Sequence, residues 1–130
     1  MLLGIDYGAK RIGLATGDKE TRLALPLKTL LNDKDFLDSL KGICKVEDIK
    51  EIVVGIPLPL YGKEGEQVKR VKNFVEKLKK EFKLPIKTID EKLTTHEVES
   101  HFVKFKKEMK KIDKDALAAS IILQTHLDKV

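Results

Sequence analysis

The chain has 130 residues, the length of one ordinary domain, with 26 Lys and Arg against 21 Asp and Glu and a formal net charge of +5. Charged residues make up 36% and hydrophobic residues 42% of it, which excludes a disordered polyelectrolyte, and no apolar run approaches the roughly 20 residues of a membrane span. The single cysteine, Cys44, excludes an internal disulfide, and the absence of a signal-peptide pattern points to a cytoplasmic, soluble single domain over residues 1–130.

Residues 2–7 (LLGIDY) read as an apolar strand, Gly8 to Arg11 as a turn, Ile12 to Thr16 as a second strand and Leu23 to Leu30 as a third. Three short strands in succession predict an antiparallel meander. From about Asp33 to Asp48, Phe36, Leu37, Leu40, Ile43 and Val46 recur at near-helical spacing, with Asn32 or Asp33 available as the cap. The continuous β-branched run at 51–56 (EIVVGI) suits a strand in parallel pairing, covered on both faces. Pro57 to Gly65 is a loop with two prolines and two glycines. Val68, Val71, Val75, Leu78 and Phe82 make an amphipathic stripe that predicts a helix from about Glu66 to Phe82. Pro85 to Ile89 reads as a fifth strand. Thr94 or Thr95, with Glu97 near the capping-box position, opens a further helix whose stripe is Val98, Phe102, Phe105 and Met109. A last helix is expected from about Lys114 to Leu127. The order β-β-β-α-β-α-β-α-α predicts an α/β fold, one five-stranded mixed sheet with helices on both faces.

Three acidic sites interrupt apolar surroundings. Asp6 stands in the first strand, where a buried unpaired carboxylate costs several kcal/mol. It either ends the strand and bonds its own turn or has a chemical role. Asp90 and Glu91 end the fifth strand, one directed to each face of the sheet by the period of two. Asp115 precedes the apolar run ALAASIILQTHL, and Asp113 is the better N-cap, which leaves Asp115 inside the first helical turn. The small residues Ala116, Ala118 and Ala119 permit close approach to the sheet and carry that acid in with them. Hard divalent cations take oxygen ligands and need few protein carboxylates. The three histidines, His96, His101 and His126, share no zinc-like spacing with each other or with Cys44. Ser39, Ser100 and Ser120 lie in helical patterns, not in the strained turn of a nucleophile elbow. Seven aromatic residues (Phe 5, Tyr 2, Trp 0) argue against a base-stacking platform, while the lysine excess fits a phosphate-rich partner.

Four segments together resemble the YqgF/RuvX family, Holliday-junction-resolvase-like proteins with an RNase H-like three-layer α/β/α fold. They are GIDYGAKRIGLA (4–15), VVGIPLPLYGKEGEQVKRVKNF (53–74), DEKLTTHEVE (90–99) and DKDALAASIILQTHLD (113–128), in the family's order across nearly the whole chain. The resemblance implies a metal-dependent nuclease that processes the 5′ end of precursor 16S rRNA. It implies a catalytic triad of Asp6, Glu91 and Asp115 holding one or two Mg²⁺ or Mn²⁺ ions, with Asp90 and Asp113 beside the ligands. Lys10, Arg11, Lys63, Arg70 and Lys92 become candidate nucleic-acid contacts, although Arg70 stands one turn from Glu66 and is equally placed for an ion pair. The chain departs from the family at Pro59 and Tyr61, and Lys92 stands where an arginine is commoner, which removes a bidentate phosphate contact.

The partner expected is structured RNA or branched DNA, with no membrane, and the protein a monomer or weak homodimer. The alternatives are a four-way-junction resolvase, which needs a symmetric dimer to cut two strands related by a dyad, and a catalytically silent nucleic-acid-binding module. A phosphate-gripping ATPase of the actin and hexokinase type also opens on a D-x-G hairpin, but 130 residues leave no second lobe to close over a nucleotide.

Overall fold

The computed structural model describes residues 1–57, 65–91 and 113–130. Strands β1 (Leu2–Tyr7), β2 (Arg11–Asp18) and β3 (Leu23–Leu31) form the expected meander. Helix α1 (Phe36–Val46), strand β4 (Glu51–Pro57), helix α2 (Glu66–Glu81), strand β5 (Ile86–Glu91) and helix α3 (Lys114–Asp128) follow. The five strands lie in the order β3-β2-β1-β4-β5, with β4 parallel to both β1 and β5. The C-terminal ends of β1, β4 and β5 therefore share one edge, where a crevice forms in sheets of this kind.

Strand alternation sorts the side chains into two cores. Leu3, Ile5, Ile12, Leu14, Ile52 and Val54 pack with Phe36, Leu40, Val71, Phe74 and Leu78, so α1 and α2 cover one face. Leu2, Ala15, Val53 and Ile89 pack with Ala119, Ile122, Leu123 and Leu127, so α3 covers the other. The result is three layers. Gln124 ties α3 to the β2–β3 turn, accepting from the Ala24 amide at 3.0 Å and donating to the Arg22 carbonyl at 2.8 Å.

The differences from the sequence expectation are local. β2 extends to Asp18 because its ladder with β3 continues to the pair Asp18–Leu23. Register shifts between Leu14 and Ala15, which face Lys28 and Pro26, so β3 bulges by one residue there. That irregular edge position tolerates a proline with no N–H to give. Neither Asn32 nor Asp33 caps α1; the cap position is Asp35. Asn32 instead donates its amide to the Gly8 carbonyl at 2.9 Å, and Asp33 accepts from the Asp35 amide at 3.0 Å. Val46, placed on the apolar stripe by spacing, is 84% exposed, while Cys44 is buried in the core. Burial pushes the Cys44 thiol up to about 11, so it behaves as a small hydrophobe. The helix expected after Thr94 or Thr95 lies outside the described residues. No helix among the described residues is long and apolar enough to cross a membrane.

Candidate active site

Asp6 lies on the α3 side of β1, two positions from Gly4 and opposite Gly13 in the β1–β2 ladder. These two glycines explain how α3 comes so near. A Cβ at Gly4 would meet Leu123 Cβ at 2.7 Å and the Ala119 carbonyl oxygen at 2.9 Å, and a Cβ at Gly13 would overlap the Asp115 carbonyl. The first turn of α3 thus rests on bare backbone beside Asp6. Asp113 caps that turn by accepting from the Asp115 amide at 3.0 Å. The cap fixes where the helix starts, and so where Asp115 stands.

The two carboxylates are electrostatically coupled. Burial, and then the like charge of Asp115, raises Asp6 from 3.8 to about 6. The Asp6 carboxylate makes no hydrogen bond among the described residues. Asp115, whose side chain is 29% exposed, receives Arg11 Nε at 3.2 Å. An arginine therefore already offsets half of the acidic pair from the water side. Two neighbouring carboxylates, one half-buried and without a donor among the described residues, are a donor set that fits a hard divalent cation. Among the described residues no group of three or more His, Cys, Asp or Glu forms a complete metal cluster.

The other expected site residues fall as follows. Glu91 ends β5, its backbone paired opposite Pro57 of β4. Asp90 is exposed and alternates onto the face opposite Ile89, with Ile86. Asp113 is engaged as the cap. Lys10 is exposed in the β1–β2 turn, its carbonyl accepting from the Asn32 amide at 2.9 Å. Arg70 lies on α2, on the far side of the sheet from Asp6, and contacts Glu66 at 3.4 Å. Lys63 and Lys92 lie outside the described residues. Sequence reasoning missed Gly13, although a glycine inside an apolar strand signals a close approach. It also missed Gln67, whose amide donates to the Tyr7 carbonyl at 3.2 Å and steadies the strand end next to Asp6.

The model of the RuvX family, described as Holliday junction resolvase, matches residues 1–129. The chain belongs to the RuvX family. A RuvX relative from Sulfurihydrogenibium sp., named "Putative pre-16S rRNA nuclease", is 41% identical over 131 residues, covering 99% of this chain and 90% of its own. The solved structure of Thermus thermophilus RuvC superposes with a TM-score of 0.62 at 14% identity, over 98% of this chain and 94% of that one. T. thermophilus RuvC in complex with a Holliday junction substrate gives 0.60 at 12% identity, over 98% and 93%. At such identities the likeness shows the fold alone: the sheet and helices of this RuvX chain have the RNase H-like arrangement found in RuvC.

Proposed function

We propose that this RuvX chain is a divalent-metal-dependent endonuclease that trims the 5′ end of precursor 16S rRNA in the cytoplasm, with Asp6, Glu91 and Asp115 as its catalytic acids. The observation that carries the reading is the pairing of Asp6 with Asp115 across Gly13. Arg11 offsets Asp115 alone, so ionised Asp6 beside it remains costly without a further cation, and a bare structural role does not require it. The substrate is taken from the names of the curated relatives.

A bound Mg²⁺ or Mn²⁺ ion would supply charge neutralisation and Lewis acidity at the scissile phosphate. Asp6 and Asp115 supply the ligand oxygens, and the rigid strand and capped helix turn hold them in place before substrate arrives. Arg11, at the rim, stands where it can pass from Asp115 to a substrate phosphate in a bidentate contact. Lys10 adds a point charge beside it, and Lys63 and Lys92 belong to the same reading as further phosphate contacts.

The test is cleavage of precursor 16S rRNA in Mg²⁺, in Mn²⁺ and in EDTA. Cutting is expected only with metal, and Asp6→Asn and Asp115→Asn are expected to lower the rate by more than about 100-fold while RNA is still bound. Cleavage that survives EDTA, or an active Asp6→Asn variant, would overturn the reading. The second reading is a four-way DNA junction resolvase, favoured by the description of the family model.

A further inference from the structure

The face of the sheet away from Asp6 and Asp115 carries a cavity of about 340 Å³ between the start of α1, the middle of α2 and the end of β1. Its floor is aromatic. The Tyr7 and Phe74 rings lie 4.5 Å apart between centroids, and Phe36 lies 5.8 Å from Phe74. Its rim is basic and amide-bearing. Arg70, Asn73 and Lys77 follow one stripe of α2, and Lys34 faces them from the β3–α1 connection.

These rim groups are short of partners. Lys34, Asn73 and Lys77 make no hydrogen bond or ion pair among the described residues, and Arg70 has only its 3.4 Å contact with exposed Glu66. The one acid in the lining, Asp33, accepts from the Asp35 amide. Three cations around one hollow repel one another and favour an anion between them. The Asn73 amide and the Tyr7 phenol add hydrogen bonding, which simple phosphate would leave unused, over a floor of buried Phe36 and Phe74 rings that closes the hollow. The volume is at the small end of ligand cavities, the size for one nucleotide and not for a duplex.

The cavity is adjacent to the acid pair through one strand end. Tyr7 follows Asp6 in β1, and consecutive strand residues point to opposite faces. A strand lying on the acids and bending over the Gly8–Lys10 turn would bring a neighbouring nucleotide to the hollow.

We propose that this cavity is a nucleotide-binding subsite, with the phosphate held by Lys34, Arg70 and Lys77 and the base by Asn73 and the half-buried Tyr7. Two sources share that chemistry, a nucleotide of the substrate strand and a free nucleotide. The first source rests on the nuclease reading above, and the second does not.

The test compares the full chain with Lys34→Glu/Lys77→Glu and with Lys45→Glu/Lys129→Glu, a control that changes the same charge at the opposite end of the sheet. Binding of a short fluorescein-labelled single-stranded RNA is measured against salt, and GMP is titrated while the Tyr7 and Phe74 amide resonances are followed. A substrate-strand subsite is expected to lose about tenfold in RNA affinity, and about two from the salt slope, in the pocket variant alone. A free-nucleotide site is expected to show GMP-induced shifts that the pocket variant abolishes, with RNA affinity unchanged. A pocket variant that matches the control in RNA binding, with no GMP shift in the wild type, overturns the proposal. Cleavage lost in Asp6→Asn with both binding readouts unmoved overturns the subsite and keeps the nuclease. A wild type that never cuts, while the pocket variant loses RNA affinity, overturns the nuclease and keeps the subsite.

Discussion

Asp6 is the residue on which the site's electrostatics turn. It is held at about 6 against an ordinary 3.8, first by burial and then by Asp115. The folded chain therefore binds this proton more tightly than the unfolded chain. The stability it contributes is fully present below pH 3.8 and is lost as pH rises through about 6. In metal-free buffer at neutral pH the loss is on the order of 2–3 kcal/mol. Asn at this position never ionises. Asp6→Asn is thus expected to gain stability relative to wild type as pH rises from 4 to 7.5, and added Mg²⁺ is expected to close the gap by stabilising wild type alone. Urea melts in EDTA and in Mg²⁺ check this; a difference that stays flat with pH contradicts the coupling. That Asp6 is unusual was legible in the sequence, because a carboxylate inside an apolar strand demands a reason. Its approach to Asp115, 109 positions away in the numbering, was expected from the small residues of the last helix and from the family resemblance, but the means of that approach, Gly13 under the first helical turn, was not read.

At the scale of elements, the site depends on how one helix seats on the sheet. α3 meets β1, β2 and β4 over Gly4, Gly13 and Gly55, where side chains would collide with Leu123, Asp115 and Ile122. Ala116 and Ala119, both buried, continue the close fit from the helix side. Gly13→Ala places a methyl group on the Asp115 carbonyl, so the first turn of α3 must lift. The expected cost is about 2–4 kcal/mol, with a fall in cleavage of about tenfold or more as Asp115 leaves Asp6. Denaturant midpoints and initial rates measure the two effects. A variant with wild-type stability and rate would show that the helix end is not held by this contact. The far end of the sheet is held differently. Glu51, buried at the start of β4, receives Lys87 at 2.7 Å and Lys19 at 3.5 Å. Burial alone would push its carboxyl up, but the two ammoniums outweigh it and hold the group below its ordinary value. One end of the sheet is thus bolted by a compensated acid, while the other keeps an acid without a full complement of charge. Among the described residues, element order and five strands were legible from periodicity and turn residues. The caps of α1 were not, since Asn32 found a better partner in the Gly8 carbonyl, a contact across 24 residues that no local pattern announces.

For the whole molecule, the question is which polymer the site cuts and how many copies of the chain are needed. The net charge of +5 is spread over 26 basic and 21 acidic residues, so the average surface attracts phosphate only weakly. Selectivity must come from where cations gather, and Arg11 at the acid pair and Lys34, Arg70 and Lys77 at the cavity border both faces of one strand end. On the proposed reading that layout suits a single strand folded over the sheet edge, and among the described residues it offers no second acid pair for a paired cut. Resolving a four-way junction requires two incisions related by a dyad, hence two copies of this site facing each other in a closed dimer. Trimming an RNA end requires one. A chain that sediments as a monomer, alone and on precursor 16S rRNA, and that cuts this RNA while leaving four-way junctions whole is the outcome expected. A mixed dimer of wild type and Asp6→Asn supplies the decisive comparison if a dimer does form. On RNA each wild-type site should work alone, so the mixed species keeps about half the specific activity. On a junction the mixed species should nick one strand and fail to resolve. Junction resolution by a stable wild-type dimer, with RNA left uncut, would transfer the assignment from RNA trimming to junction resolution while leaving the acid pair and its chemistry in place.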